Sequence, residues 1–174
     1  METMHEKHGY YLEDVTVGMT SIYAKTVTDA DVVMFAGISG DTNPVHLDAS
    51  FADLTAFKGR IAHGMLSASF ISTVLGTRLP GPGCIYLSQT LRFRAPVKAG
   101  DTVTARVTVR EVNQETKRVI LDTVCSVGDV VVIDGEAKLL VNRKADVMPD
   151  AASSEAGAQA GKAVNGQRGV QAAE

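Results

Sequence analysis

Between Ile61 and Thr77 the chain carries no aspartate, glutamate, lysine or arginine. From about His63 to Arg78 this stretch reads as a helix with apolar or small side chains on every face. Such a helix cannot lie on a surface, because no polar side is available to meet water; it must be enclosed. Its histidine and several hydroxyls make it a poor membrane span, so the remainder of the chain has to supply the cover.

The second half supplies it. From Thr102 to Val112 the residues alternate, with Val103, Ala105, Val107 and Val109 on one face and Thr104, Arg106, Thr108 and Arg110 on the other. That period of two belongs to a half-buried strand. Ile85 to Arg94 alternates as well, placing Leu87, Leu91 and Phe93 inward and Ser88, Thr90, Arg92 and Arg94 outward. Two more strands are expected over Arg118 to Val127 and about Val130 to Asn142, joined by the tight-turn pair Gly128-Asp129. The expected fold class is therefore α+β: an antiparallel sheet wrapped around a central buried helix. The sheet would have open edges, and pairing them or packing two helices together favours a homodimer.

The first half mixes elements. Tyr11 to Val27 contains two strand-like runs broken at Val17-Gly18. Thr28-Asp-Ala-Asp31 resembles a capping box, and a helix is expected to run to about Ser39, where Gly40 stops it. A polar loop, Gly40 to His46, and a short helical piece from about Ala49 to Thr55 follow.

Composition narrows the class. The chain has 174 residues, 45% hydrophobic and 21% charged, with a net charge of −3. Lysine and arginine are scattered, so no nucleic-acid partner is expected. The polar start lacks a signal-peptide core, no membrane segment appears, and Cys84 and Cys125 stand apart without ligand spacing, which points to a cytoplasmic protein. Residues 1–147 form the expected domain. Residues 148–174, rich in Ala, Gly and Gln, cannot bury enough apolar surface to offset their ordering entropy and are expected to be a disordered tail.

Chemistry concentrates in Gly40-Asp41-Thr42-Asn43-Pro44-Val45-His46, where a carboxylate and an imidazole sit five residues apart on one loop. Asp and His beside one water can take one proton and deliver another. The same residues are equally an Asx turn and a structural histidine, and spacing does not choose between the two.

The segment resembles the hydratase-2 motif of the MaoC-like family, which includes the (R)-specific enoyl-CoA hydratases. The similarity continues through Leu47-Asp48, Phe51-Ala52, His63-Gly64-Met65, Tyr86 to Gln89, Phe93 to Val97 and Gly100-Asp101, in order, over about residues 10–142. It implies the hot-dog fold and reversible addition of water to a trans-2-enoyl-CoA, a short-chain one such as crotonyl-CoA. It implies that Asp41 and His46 activate the water and move the protons. The Gly64 amide, at a helix N-terminus where N–H groups lack partners, would hold the thioester oxygen. Asn43 would fix the loop, and Ser72 falls where short-chain hydratases carry a supporting serine. A serine there is also explained by a bond back to the preceding turn.

Leu75, a turn further on, could line the acyl pocket or be plain core. Arg92, Arg94 and Lys98 could meet coenzyme A phosphates or be a solvated face. His63 reads as capping or orienting its helix. A coenzyme A thioester and a second copy are the implied partners. No metal or other cofactor is expected, since the sequence shows neither a ligand cluster nor a glycine-rich nucleotide loop. An acyl-CoA thioesterase on the same fold, or a non-catalytic acyl-CoA binding module, remains the alternative.

Overall fold

Thr28, Asp31 and Gly40 bound the first helix as their pattern requires. In the computed structural model, which describes residues 7–147, helix α1 spans Asp29–Ser39. The Thr28 hydroxyl accepts from the Asp31 amide, and the Asp31 carboxylate accepts from the Thr28 amide at 2.8 Å. Lys25 adds an ion pair to Asp31 at 2.9 Å. The Lys25 ammonium first, then the Thr28 amide and hydroxyl, hold the Asp31 carboxyl down at about 2. Gly40 ends the helix at φ 76°, a left-handed conformation that costs glycine nothing. The expected tail, 148–174, lies outside the described residues.

Five strands form one antiparallel sheet: β1 Thr20–Thr26, β2 Ile85–Phe93, β3 Thr102–Asn113, β4 Arg118–Val127 and β5 Val130–Leu140. Their spatial order is β1-β3-β4-β5-β2. The alternation in β3 holds, with Val103, Ala105, Val107 and Val109 all buried. Gly128, at φ 55°, makes the turn between β4 and β5. Short helices α2, Pro44–Leu47, and α3, Ala49–Leu54, precede the long helix α4, Gly64–Thr77. Helix α4 packs on β1, β3 and β4 and buries Leu66, Phe70, Ile71, Val74 and Leu75. Each such side chain contributes ~1.5–3 kcal/mol. Among the described residues, no helix is long and apolar enough to cross a membrane.

Four expectations need correction. Only one of the two runs before Val27 is a strand. The other is a 3-10 turn, Leu12–Asp14, fixed by a bond from the Leu12 amide to the Asn142 carbonyl that a local pattern cannot reveal. The loop before His46 becomes helical at Pro44, because Asn43 Oδ1 accepts from the Val45 amide and proline suits the first helical position. The long helix is not enclosed all round in the single chain: Met65, Ser69, Ser72 and Gly76 form an exposed face. Strand β2 is an edge strand away from most of α4, so Leu87 and Phe93 stand exposed rather than inward and Leu91 is only half-buried. The two cysteines are unpaired; burial pushes the Cys125 thiol up to about 12.

Candidate active site

The end of α1, the α2 turn and the start of α4 meet at one pocket. Ser39 Oγ donates to the Phe35 carbonyl at 2.7 Å and accepts from the Asp41 amide at 3.2 Å, which directs the chain out of α1. Asp41 Oδ1 then accepts from the Asn43 amide at 3.2 Å, and Asn43 Oδ1 accepts from the Val45 amide at 3.2 Å. These two side-chain caps, with Pro44 restricting the residue before it, coil the loop so that His46 turns inward. The expected loop-fixing bond of Asn43 is present.

His46 is buried, and its Nδ1 lies 2.8 Å from the Ile61 carbonyl. A carbonyl only accepts, so Nδ1 carries a proton, and in the neutral ring Nε2 is the atom that holds the lone pair. The Ile61 amide returns a bond to the Val45 carbonyl at 3.3 Å, and the Ala62 amide bonds the Val97 carbonyl at 2.7 Å. The first bond ties the α2 turn to the segment that leads into α4, and the second ties that segment to the stretch after β2.

His63 was the residue least legible in the sequence. It precedes α4, but its side chain makes no capping bond. It is 1% exposed, its Nε2 donates to the Asp41 carbonyl at 2.9 Å, and its ring lies 3.8 Å from that of His46. The signal was present as an imidazole just before glycine at the mouth of an uncharged helix, but nothing local tells which way such a ring turns. Ser67, one turn on, also lines the pocket. The buried atoms His63 Nδ1 and Ser67 Oγ have no hydrogen-bond partner among the described residues.

The pocket holds about 440 Å³. Its walls are largely apolar, from Phe57, Ile61, Met65, Phe93, Pro96 and Ile133, while Asp41, His46, His63 and Gly64 supply the polar groups. Gly64 opens α4, where first-turn amides have no acceptor within the helix and the dipole favours negative charge. A Cβ at Gly64 would lie 2.6 Å from Phe93 Cε1, so the ring closes directly over this glycine. Chemically the pocket offers a carboxylate, an imidazole lone pair and a helix N-terminus around one apolar space.

One donor from each of Asp41, His46 and His63 lies within 4.8 Å of the others. A carboxylate and two imidazoles are a donor set that suits a zinc ion. No linear ligand spacing announces this cluster, because His63 is remote in the chain from the other two.

The remaining candidates are dispersed. Ser72 lies on the exposed face of α4, outside the pocket lining, and is not bonded back to the preceding turn. Leu75 is 1% exposed in the core, also outside the lining. Arg94 lines the pocket and pairs with Asp134 at 3.0 Å, and Arg92 pairs with the same carboxylate at 2.7 Å. The two guanidiniums, Arg92 first, hold the Asp134 carboxyl below the usual carboxylate range. Lys98 is exposed and forms no ion pair among the described residues.

A five-stranded antiparallel sheet curled over one long helix, with a polar pocket at that helix's start, is a hot-dog fold. Residues 16–129 match the family model described as MaoC like domain. An (R)-specific enoyl-CoA hydratase of Rhodospirillum rubrum is 55% identical over 132 residues, 76% of this chain and 92% of that protein. A 3-hydroxybutyryl-CoA dehydratase of Methylorubrum extorquens is 54% identical over 139 residues, 80% of this chain and 88% of that one. Among solved structures, the (R)-hydratase from A. caviae involved in PHA biosynthesis superposes with a TM-score of 0.72 at 42% identity. That match covers 74% of this chain and 98% of the other. The chain belongs to the MaoC-like domain family.

Proposed function

We propose that the protein is an (R)-specific enoyl-CoA hydratase, equally a 3-hydroxyacyl-CoA dehydratase because the reaction is reversible. The observation that carries this reading is the meeting of the Asp41 carboxylate, the His46 imidazole and the first turn of α4 in one apolar pocket. The names of the Rhodospirillum and Methylorubrum relatives support the same reaction.

Hydration breaks an O–H bond of water and the π bond between the α- and β-carbons, forms C–O at the β-carbon and C–H at the α-carbon, and passes through an enolate-like thioester. Asp41 and His46 hold the water between them, and the proton that one of them takes from the water is the proton passed on to the α-carbon. The Nε2 lone pair of His46 suits the accepting role when Nδ1 is held by the Ile61 carbonyl. The Gly64 amide receives the negative charge that develops on the thioester oxygen, and the helix dipole adds to it. Asn43 keeps the loop in register.

Ser72 is assigned a supporting role on the face that a second copy would cover, and Leu75 a share of the acyl wall behind the lining residues. Arg94 at the pocket, with Arg92 and Lys98, is assigned to coenzyme A phosphates, since guanidiniums engaged by Asp134 keep free donors. The working form is a cytoplasmic homodimer. Its support is the uncovered small-residue face of α4 and the exposed Ile85, Leu87 and Phe93 of edge strand β2. In the hydration direction it would supply (R)-3-hydroxyacyl-CoA, the kind of use that PHA biosynthesis makes of the A. caviae hydratase.

Purified protein is expected to remove the enoyl absorbance of crotonyl-CoA and yield (R)-3-hydroxybutyryl-CoA on chiral analysis. Release of free coenzyme A without hydration would replace this reading with a thioesterase. Binding of crotonyl-CoA without either reaction would make it a binding module.

A further inference from the structure

We infer that His63 is a positioning residue for the hydration: through its Nε2–H on the Asp41 carbonyl and its ring against His46, it sets the two proton-transfer groups relative to each other. The inference rests on the hydratase reading of the same pocket.

Asp41 and His46 belong to one loop, yet that loop is held to the helix mouth mainly from outside itself. Its own bonds, Asp41 to Asn43 and Asn43 to Val45, fix only local turns. The Asp41 carbonyl projects from the stretch between Gly40 and α2, and its partner is His63 Nε2 at 2.9 Å, from a residue on the other side of the pocket. This bond fixes the peptide on which the Asp41 side chain is mounted.

The ring of His63 is the second constraint. It stands 3.8 Å from the His46 ring at 33° and 5.1 Å from the Phe35 ring of α1. His46 is therefore held in its plane by the Ile61 carbonyl and on one face by His63. Since Gly64 directly follows His63, the same residue also relates both groups to the amide proposed to receive the developing charge.

A residue needed only to fill volume would not require a donor. Burying an imidazole at 1% exposure carries a desolvation cost that an apolar side chain avoids. That cost is only partly met here, because Nδ1 remains without a protein partner among the described residues. Placement of reacting groups is steep in its effect on rate, since a misplacement of about 1 Å can cost ~10²-fold. A donor kept at this cost beside both groups is explained by placement.

Two substitutions separate the donor from the ring. His63→Phe keeps an aromatic face against His46 and removes the bond to Asp41. His63→Gln loses the ring and keeps a side-chain N–H at the reach of Nε2. Both are assayed with crotonyl-CoA beside the unsubstituted protein, and thermal melts establish folding. If the unsubstituted protein hydrates no crotonyl-CoA, the hydratase reading fails and this inference fails with it.

If it does hydrate, His63→Phe should lower kcat at least ~10-fold while KM stays within about threefold, the pattern of a group acting on the transition state alone. His63→Gln should recover at least a third of the lost factor. His63→Leu takes the place of His63→Phe should the latter not fold. A folded His63→Phe or His63→Leu with kcat near normal overturns the inference. So does a loss confined to KM, or a His63→Gln variant no faster than the donor-less one.

Discussion

Asp41→Asn is the most discriminating change, because the structure separates its effect on the fold from its effect on the chemistry. The Asp41 side chain is exposed, and its one bond within the loop is accepted by Oδ1 from the Asn43 amide at 3.2 Å. Asparagine keeps an Oδ1 at that place, so the change removes the charge and leaves the turn. The lost charge assistance costs at most ~1 kcal/mol of stability, which in a chain of this length lowers Tm by roughly 2–4 °C.

The rate should suffer far more. A positioned acid–base group contributes at least ~10²-fold, or about 2.7 kcal/mol of barrier at 1.36 kcal/mol per factor of ten. KM for crotonyl-CoA should move little, since the carboxylate is assigned to water and the α-carbon proton rather than to coenzyme A. An enzyme cannot shift the overall equilibrium. The kcat/KM for dehydration of (R)-3-hydroxybutyryl-CoA must therefore fall by the same factor as that for hydration. The assay follows enoyl absorbance in both directions beside a thermal melt. A folded Asp41→Asn protein within tenfold of the normal rate would remove this carboxylate from the mechanism.

Other outcomes follow from the same geometry. The Asp31 carboxyl is held at about 2 against an ordinary 3.8, which is worth roughly 2 kcal/mol. Because the folded value is the lower, that stability is fully present above pH ~4 and lost as pH falls toward ~2. Urea titrations of Asp31→Asn should thus differ from the unsubstituted protein at pH 6 and converge with it in acid; a gap that ignores pH refutes the ion-pair account. Ile71→Ala, at a site 1% exposed against the sheet, should cost ~2–5 kcal/mol in the same titration. Gly76 has open space where a Cβ would stand, so Gly76→Arg should leave a single chain folded. Light scattering should nonetheless show a dimer for the unsubstituted protein and a monomer for Gly76→Arg; an unchanged dimer places the contact elsewhere.

What the chain settled by itself was local. The reciprocal bonds of Thr28 and Asp31 span one helical turn, and Gly40 ends α1 through its own φ. The period of two in β3 determines which of its faces is buried, and the uncharged run of α4 determines that this helix needs a cover. Hydrophobic periodicity and capping act over a few residues, so a linear pattern records them. The family motif likewise placed Asp41 and His46 on one loop before any contact was visible.

Tertiary structure decided everything that depends on what lies opposite. Leu12 became a turn because its amide meets the Asn142 carbonyl, and most apolar side chains of β2 stayed exposed because α4 packs mainly on β1, β3 and β4. His63 shows the division most sharply. In the sequence it was a residue at the start of a helix, with no reason to belong to the loop before it. Only folding brings its ring 3.8 Å from that of His46 and its Nε2–H onto the Asp41 carbonyl. The uncharged helix that demands a cover follows the same division. The sheet covers one side of α4, and the small residues Ser69, Ser72 and Gly76 remain uncovered on the other. A single chain's pattern specifies that a face must be buried, but the partner that buries it is chosen by contacts between distant elements.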